Sequence, residues 1–219
     1  MQKVARFSLP CVRQFSAQSG GKPPISVVHA LKDGRMVTVR RLEPSEEPKL
    51  RSFLAIPKQM GDLHANEATR AEVVGEHFFK VQAPGFDSVA ALVQDKVVGT
   101  ADIDPQPEAY ERPVDSSFVT AHGLDVSQVC VARMMVNPDD QGVGVGRALK
   151  LGLRVAAAQA GYKAVVSETS HPAVKRIVAS EGGAVQEGLG SVWTLMPVDA
   201  AAGGAPSQDT NSQQGGEPG

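Results

Sequence analysis

Three glycines spaced by single residues, in Gln141-Gly142-Val143-Gly144-Val145-Gly146, are the part of this chain best suited to chemistry. Glycine adopts backbone angles closed to other residues and lets a ligand approach the main chain closely. The run stands between an apolar, strand-like segment ending at Val136 and an amphipathic pattern starting near Gly144. Successive unpaired amides at a helix start point at one spot, and with the helix dipole they bind phosphate or another anion without needing lysine. Spacing then discriminates among phosphate ligands. A Walker-type loop needs Gly-Lys followed by Ser or Thr, whereas Gly146 is followed by Arg147-Ala148 and leaves no hydroxyl for magnesium. A dinucleotide turn needs a third glycine three residues after the second; that position is Arg147 counted from Gly142 and Gly144, and Leu149 counted from Gly144 and Gly146. Glu168 imitates a ribose-binding acid, but without that glycine the match is weak. A tight strand-to-helix turn with no ligand is the plainer alternative.

The elements that must position this turn can be read from periodicity. Met36 to Leu42 alternates and is β-branched, as a half-buried strand requires. Ser45 and the acids after it start a helix to about Leu54, and Asn66 caps a second helix to about Val81, ended by Pro84-Gly85. Ser88 to Val93 and Val97 to Ile103 flank Gln94-Asp95-Lys96 as a hairpin. A long connection, 104–125, is broken by Pro105, Pro107, Pro113 and Gly123. Ser127 to Val136 reads as a strand buried on both faces. Val145, Leu149, Leu153, Ala156 and Ala160 recur at helical spacing, closed by Gly161. Tyr162 to Ser167 is another strand, Pro172 opens a helix to about Ser180, and Ser191 to Pro197 is the last strand, with a short one near Val185. The expectation is a mixed α/β fold with an antiparallel first half and a crossover in the second.

Taken in order, Val136-Asn137-Pro138, Gln141 to Gly146, Gly161-Tyr162-Lys163 and the opening Val37-Thr38-Val39-Arg40-Arg41 resemble the GNAT superfamily of N-acetyltransferases. The similarity covers about 36–197 and is strongest over 128–168. It implies a GNAT-like acyl-CoA N-acyltransferase fold, an α+β mixed sheet with splayed central parallel strands, and acetyl-CoA as cosubstrate. It also implies that the pyrophosphate rests on the amides of Gln141, Gly142, Val143, Gly144, Val145 and Gly146, with Arg147 near the phosphates or solvent. Met134, Met135 and Val136 would offer backbone groups to a pantetheine arm lying between the strands at 134–136 and 164–167. The implied reaction is direct attack of an amine, on a small molecule or a protein, upon the thioester in a ternary complex.

Here the chain departs from the family's pattern. The helix after the second splayed strand should carry a tyrosine as acid, but anchoring on Gly182 puts His171, Val174, Val178 and Gly183 at the four pattern positions, with Val178 in place of the tyrosine. A thiol with a pKa near about 8.5 leaves tolerably, so a hydroxyl or water could serve instead. The candidates are Tyr110, His122, Ser170 and His171, although Ser170 also suits a helix N-cap before Pro172. Glu108, Glu111, Asp115, Asp62 and His64 are further candidates for a base, each equally readable as a solvated surface group. The second reading is a catalytically silent acyl-CoA-binding or structural subunit. Cys130, in an apolar strand, reads as an inert small hydrophobe, and Trp193 as core.

The remainder of the chain bounds these readings. It is 42% hydrophobic and 21% charged, with a net charge of −2 over 219 residues. There is no basic excess for nucleic acid, and no apolar stretch of about 18 residues for a membrane span. The five histidines are scattered singly, so no metal is expected. Residues 1–35 read as a mitochondrial presequence or disordered segment, since Lys3, Arg6, Arg13, Lys22 and Lys32 occur among serines before the first acid, Asp33. Arg13-Gln14-Phe15-Ser16 resembles a processing site. The expected address is the mitochondrial matrix, with plastid or cytoplasm as alternatives. The expected domain spans 36–198, a disordered tail 199–219, and the state is monomer or homodimer.

Overall fold

The computed structural model describes residues 22–55, 85–105, 116–169, 172–188 and 191–198. The helix expected from Asn66 to about Val81, the candidates Tyr110, Ser170 and His171, and the two outer terminal segments lie outside these residues. Among the described residues, eight strands form one sheet: β1 (Ser26–Ala30), β2 (Met36–Arg40), β3 (Asp87–Val93), β4 (Lys96–Asp104), β5 (Val129–Val136), β6 (Ala164–Glu168), β7 (Ala184–Gly188) and β8 (Ser191–Pro197). Their spatial order is β1-β2-β3-β4-β5-β6-β8-β7. Every neighbouring pair is antiparallel except β5 and β6, which run parallel.

Local chemistry explains the well-anticipated elements. Gln94 and Asp95 both take positive φ, 48° and 65°, which is the two-residue turn that matches strand twist and closes β3 onto β4. Pro172 opens its helix at the expected residue, and Gly182, at φ 76°, ends it. Two elements differ from expectation. β1 lies within the segment read as presequence, yet it pairs with β2 from Ser26↔Arg40 to Ala30↔Met36 and buries Val27, so the sheet starts ten residues earlier than Met36. A short helix, Ser116–Ala121, occupies part of the long connection because Phe118 and Val119 find a buried site on the sheet.

Among the described residues, four helices cover the two faces: α1 (Glu47–Leu54), α2 (Ser116–Ala121), α3 (Val145–Gln159) and α4 (Pro172–Ser180). Alternation along the strands divides the core. Val89, Ala91, Ala101, Cys130 and Val165 face α3, which lays Val145, Leu149, Leu153 and Ala156 on them. On the other face, α1 packs Leu50 and Phe53 on Ala90, Leu92 and Val97, while α2 packs on Val129, Val131, Ala164 and Val166. Trp193 belongs to this second cluster. Burial pushes the Cys130 thiol up to about 12, so it stays protonated.

Candidate functional site

The parallel pair that defines the site is held together over a short length only. Val129, Cys130 and Val131 are in register with Ala164, Val165 and Val166, and beyond these β5 continues to Val136 paired with β4 alone. The strands therefore diverge, leaving an opening between them. Backbone alternation decides which groups face it. Asn137 N–H bonds to the Val98 carbonyl at 2.9 Å, so along this antiparallel ladder Met135 also turns its backbone groups to β4, while Met134 and Val136 turn theirs toward the opening. Met135 thus differs from expectation: a period of two cannot place three consecutive residues on one edge. The side-chain amide of Gln141 folds back to the Val136 carbonyl at 3.2 Å.

The glycine turn stands at the wide end of this opening. Pro138–Asp140 makes a single 3-10 turn, Gly142 takes φ 78° and Gly144 takes φ 119°, the last as N-cap of α3. The first bond within the helix is Ala148 N–H to Gly144 O, so the amides of Val145, Gly146 and Arg147 have no acceptor in their own helix. The turn is tied down from below. Asp140 is buried, accepts from Arg35 at 2.7 Å and from Asn137 Nδ2 at 3.0 Å, and Lys32 N–H bonds the Val143 carbonyl at 2.9 Å. The β1–β2 hairpin is thereby a buttress for the turn. The sequence reading missed Asn137, Asp140 and Arg35 in this role, because Arg35 is 105 residues from its partner.

Side chains around the turn complete the picture. A Cβ on Gly146 would stand 3.6 Å from Met134 Cε and 3.9 Å from Val136 Cγ2 and Ile177 Cδ1, so this glycine faces the opening and keeps it wider by a methyl group. Arg147, half-exposed, bonds Glu181 at the end of α4 at 2.5 Å rather than standing free. His29 lies beside Gly144; burial holds its imidazole below the ordinary value, with the positive charge of Arg147 acting in the same sense. His122 belongs elsewhere. Its Nδ1 lies 2.8 Å from the Phe118 carbonyl and its ring meets Phe118 edge-on, at the end of α2 on the opposite face from α3. Val178 is fully buried and apolar.

Lys150, which the sequence reading did not single out, is 3% exposed and reaches Ser167 Oγ at 3.3 Å; burial lowers its amine to about 8. Among the described residues, no group of three His, Cys, Asp or Glu side chains is arranged to hold a metal ion, and no helix is long and apolar enough to cross a membrane.

An eight-stranded mixed sheet that parts between two parallel central strands, with a glycine-rich turn into a helix at the parting, is the GNAT acyl-CoA N-acyltransferase fold, and comparison with solved structures shows the same. The GNAT domain of S. lividans PAT matches with a TM-score of 0.56 at 17% identity, covering 78% of this chain and 96% of that one. RimL, a ribosomal L7/L12 alpha-N-protein acetyltransferase solved in complex with coenzyme A, matches with a TM-score of 0.53 at 12% identity over 75% of this chain and 95% of that one. The yncA protein from Salmonella typhimurium, solved with its cofactor acetyl-CoA, matches with a TM-score of 0.50 at 18% identity over 78% and 98%. No protein-family model matches the chain, and the comparison with curated proteins finds no match.

Proposed function

We propose that this protein is an acetyl-CoA-dependent N-acetyltransferase that passes an acetyl group to an amine by direct attack in a ternary complex. The observation that carries the reading is the adjacency of two features: the helix start at Val145, Gly146 and Arg147, whose amides have no acceptor in their own helix, and the stretch of β5 at Met134 and Val136, facing Gly146, where β5 has parted from β6. The amides suit the pyrophosphate of acetyl-CoA, and the backbone groups of Met134 and Val136 suit the amides of its pantetheine arm, which would lie there as an extra strand. The acceptor is an amine on a small molecule or a protein, and the thioester is the acyl donor.

Calorimetric titration with acetyl-CoA, followed by assay of CoA release across a panel of amines, tests this reading. Gly144→Glu should abolish binding, since it strains the turn and sets a carboxylate against the pyrophosphate. Undiminished binding in that variant, or none in the wild type, refutes the cofactor assignment. A second reading has its own observation: Val178 fills the position of the family's acid with a buried apolar side chain. It makes the protein a silent acyl-CoA-binding subunit, and tight binding without CoA release from any amine would select it. We also propose import into the mitochondrial matrix, directed by the residues ahead of β1; a reporter fused to residues 1–21 that stayed diffuse in the cytosol would refute this.

A further inference from the structure

Helix α3 roofs the opening between β5 and β6, and the residues it presents there change character within one turn. Gly146 faces Met134 and Val136 at the wide end. Lys150 is four residues on and so on the same face of the helix. Its side chain is buried and reaches Ser167, itself buried, which follows Val166, the last residue of β6 in register with β5. The lysine nitrogen is thus placed at the narrow end of the opening, and among the described residues Ser167 is its one hydrogen-bond partner. Charged groups nearby are directed elsewhere. Arg147 and Arg154, on either side along α3, both turn to Glu181 at the end of α4; Glu168 on β6 is exposed; Arg133 on β5 pairs with Asp102. A lysine kept from water without a carboxylate is costly and rare. It is suited to a negative charge that arrives with the substrate.

We propose that Lys150 receives the sulfur of the acyl-CoA: its ammonium faces the thioester sulfur and gives it a proton as the acetyl group departs. The proposal rests on the acyltransferase reading above. In the step, the acceptor nitrogen forms a bond to the carbonyl carbon, the carbon–sulfur bond breaks, and its electron pair goes to sulfur. The Lys150 proton then makes the CoA thiol, and the neutral amine regains a proton from the one shed by the acceptor. Burial sets the lysine at about 8, close to an ordinary thiol at about 8.5, so the transfer is nearly balanced.

The test uses free CoA as the probe with the full chain, following the ultraviolet absorbance of its thiolate against pH. In the wild type the bound thiol should ionise at least about one pH unit below that of free CoA, the effect expected of a cation within contact distance. Lys150→Met should return it to the free value while CoA binding at pH 7, measured by calorimetry, stays within about threefold; Lys150→Arg should keep it lowered. Should the methionine variant not fold, Lys150→Gln makes the same comparison. Identical thiol titrations in wild type and variant overturn the proposal and leave CoA binding standing. Absence of CoA binding in the wild type overturns both.

Discussion

Arg35, in the turn between β1 and β2, donates to the buried carboxylate of Asp140 at 2.7 Å, and so joins the edge hairpin to the glycine turn that starts α3. Asp140 is held on its other oxygen by Asn137, so the two contacts fix where the turn places its amides. Arg35→Ala should weaken acetyl-CoA about tenfold, the scale of one or two lost hydrogen bonds, although Arg35 lies outside the turn itself. Calorimetric titration checks this, and unchanged affinity would show that the turn holds its shape without the buttress.

Two glycines of the turn should answer differently to alanine. Gly144 takes φ 119° and ψ −2°, and a Cβ there would meet Leu31 only at 3.6 Å, so the penalty is backbone strain of about 1–3 kcal/mol rather than a clash. Gly146 lies inside α3, where alanine is favoured by about 0.4–1 kcal/mol when it fits. Its Cβ would be at ordinary contact distance but inside the opening. Gly144→Ala should therefore lower the melting temperature, whereas Gly146→Ala should keep or raise it and weaken acetyl-CoA. Melting curves and titrations on both variants separate stability from binding.

The contrast shows which features the sequence could reveal. Gly142 and Gly144 were legible because the turn into a helix needs backbone freedom at fixed offsets, and Pro172 and Gly182 bounded α4 for similarly local reasons. β1 was hidden: Ser26 to Ala30 follows a basic, serine-rich segment, and only pairing with β2 gives Val27 its burial. Lys150 was hidden more deeply. It sits next to Leu149 in the apolar stripe of α3, where a long side chain can as easily run out to solvent, and only Ser167 on β6 shows that it turns inward.

Lys150 should also make the protein less stable than it could be. Its amine is lowered from 10.5 to about 8 by burial, so the unfolded chain takes up the proton more readily than the folded one. The penalty is fully present below about pH 8 and disappears as pH rises through 10.5, amounting to roughly 3 kcal/mol at about 1.36 kcal/mol per pKa unit. Lys150→Met, apolar and of similar length, should raise stability by about that amount at pH 7, with the gap closing near pH 11. Denaturant unfolding of both proteins at the two pH values measures it, and a destabilised variant at pH 7 would mean the lysine is paired better than Ser167 alone allows.

His29 should give a pH signature of the proposed pyrophosphate site. Burial and then Arg147 hold its imidazole below the ordinary value, so in the free protein the unfolded state takes up the proton more readily, and stability should fall as pH drops through about 6.5. A bound pyrophosphate reverses the balance, because negative charge next to Gly144 favours the imidazolium. Acetyl-CoA should therefore bind more tightly at pH 6 than at pH 8 and draw a proton from solution as it does. Calorimetry at pH 6.5 in two buffers of different ionisation enthalpy counts that proton. The 3′-phosphate of the ligand titrates in the same range, so the comparison is with His29→Gln, in which this part of the uptake should vanish and the advantage at pH 6 should shrink. Equal proton uptake by the two proteins would place the phosphates away from His29, and with it away from the amides of Val145 to Arg147.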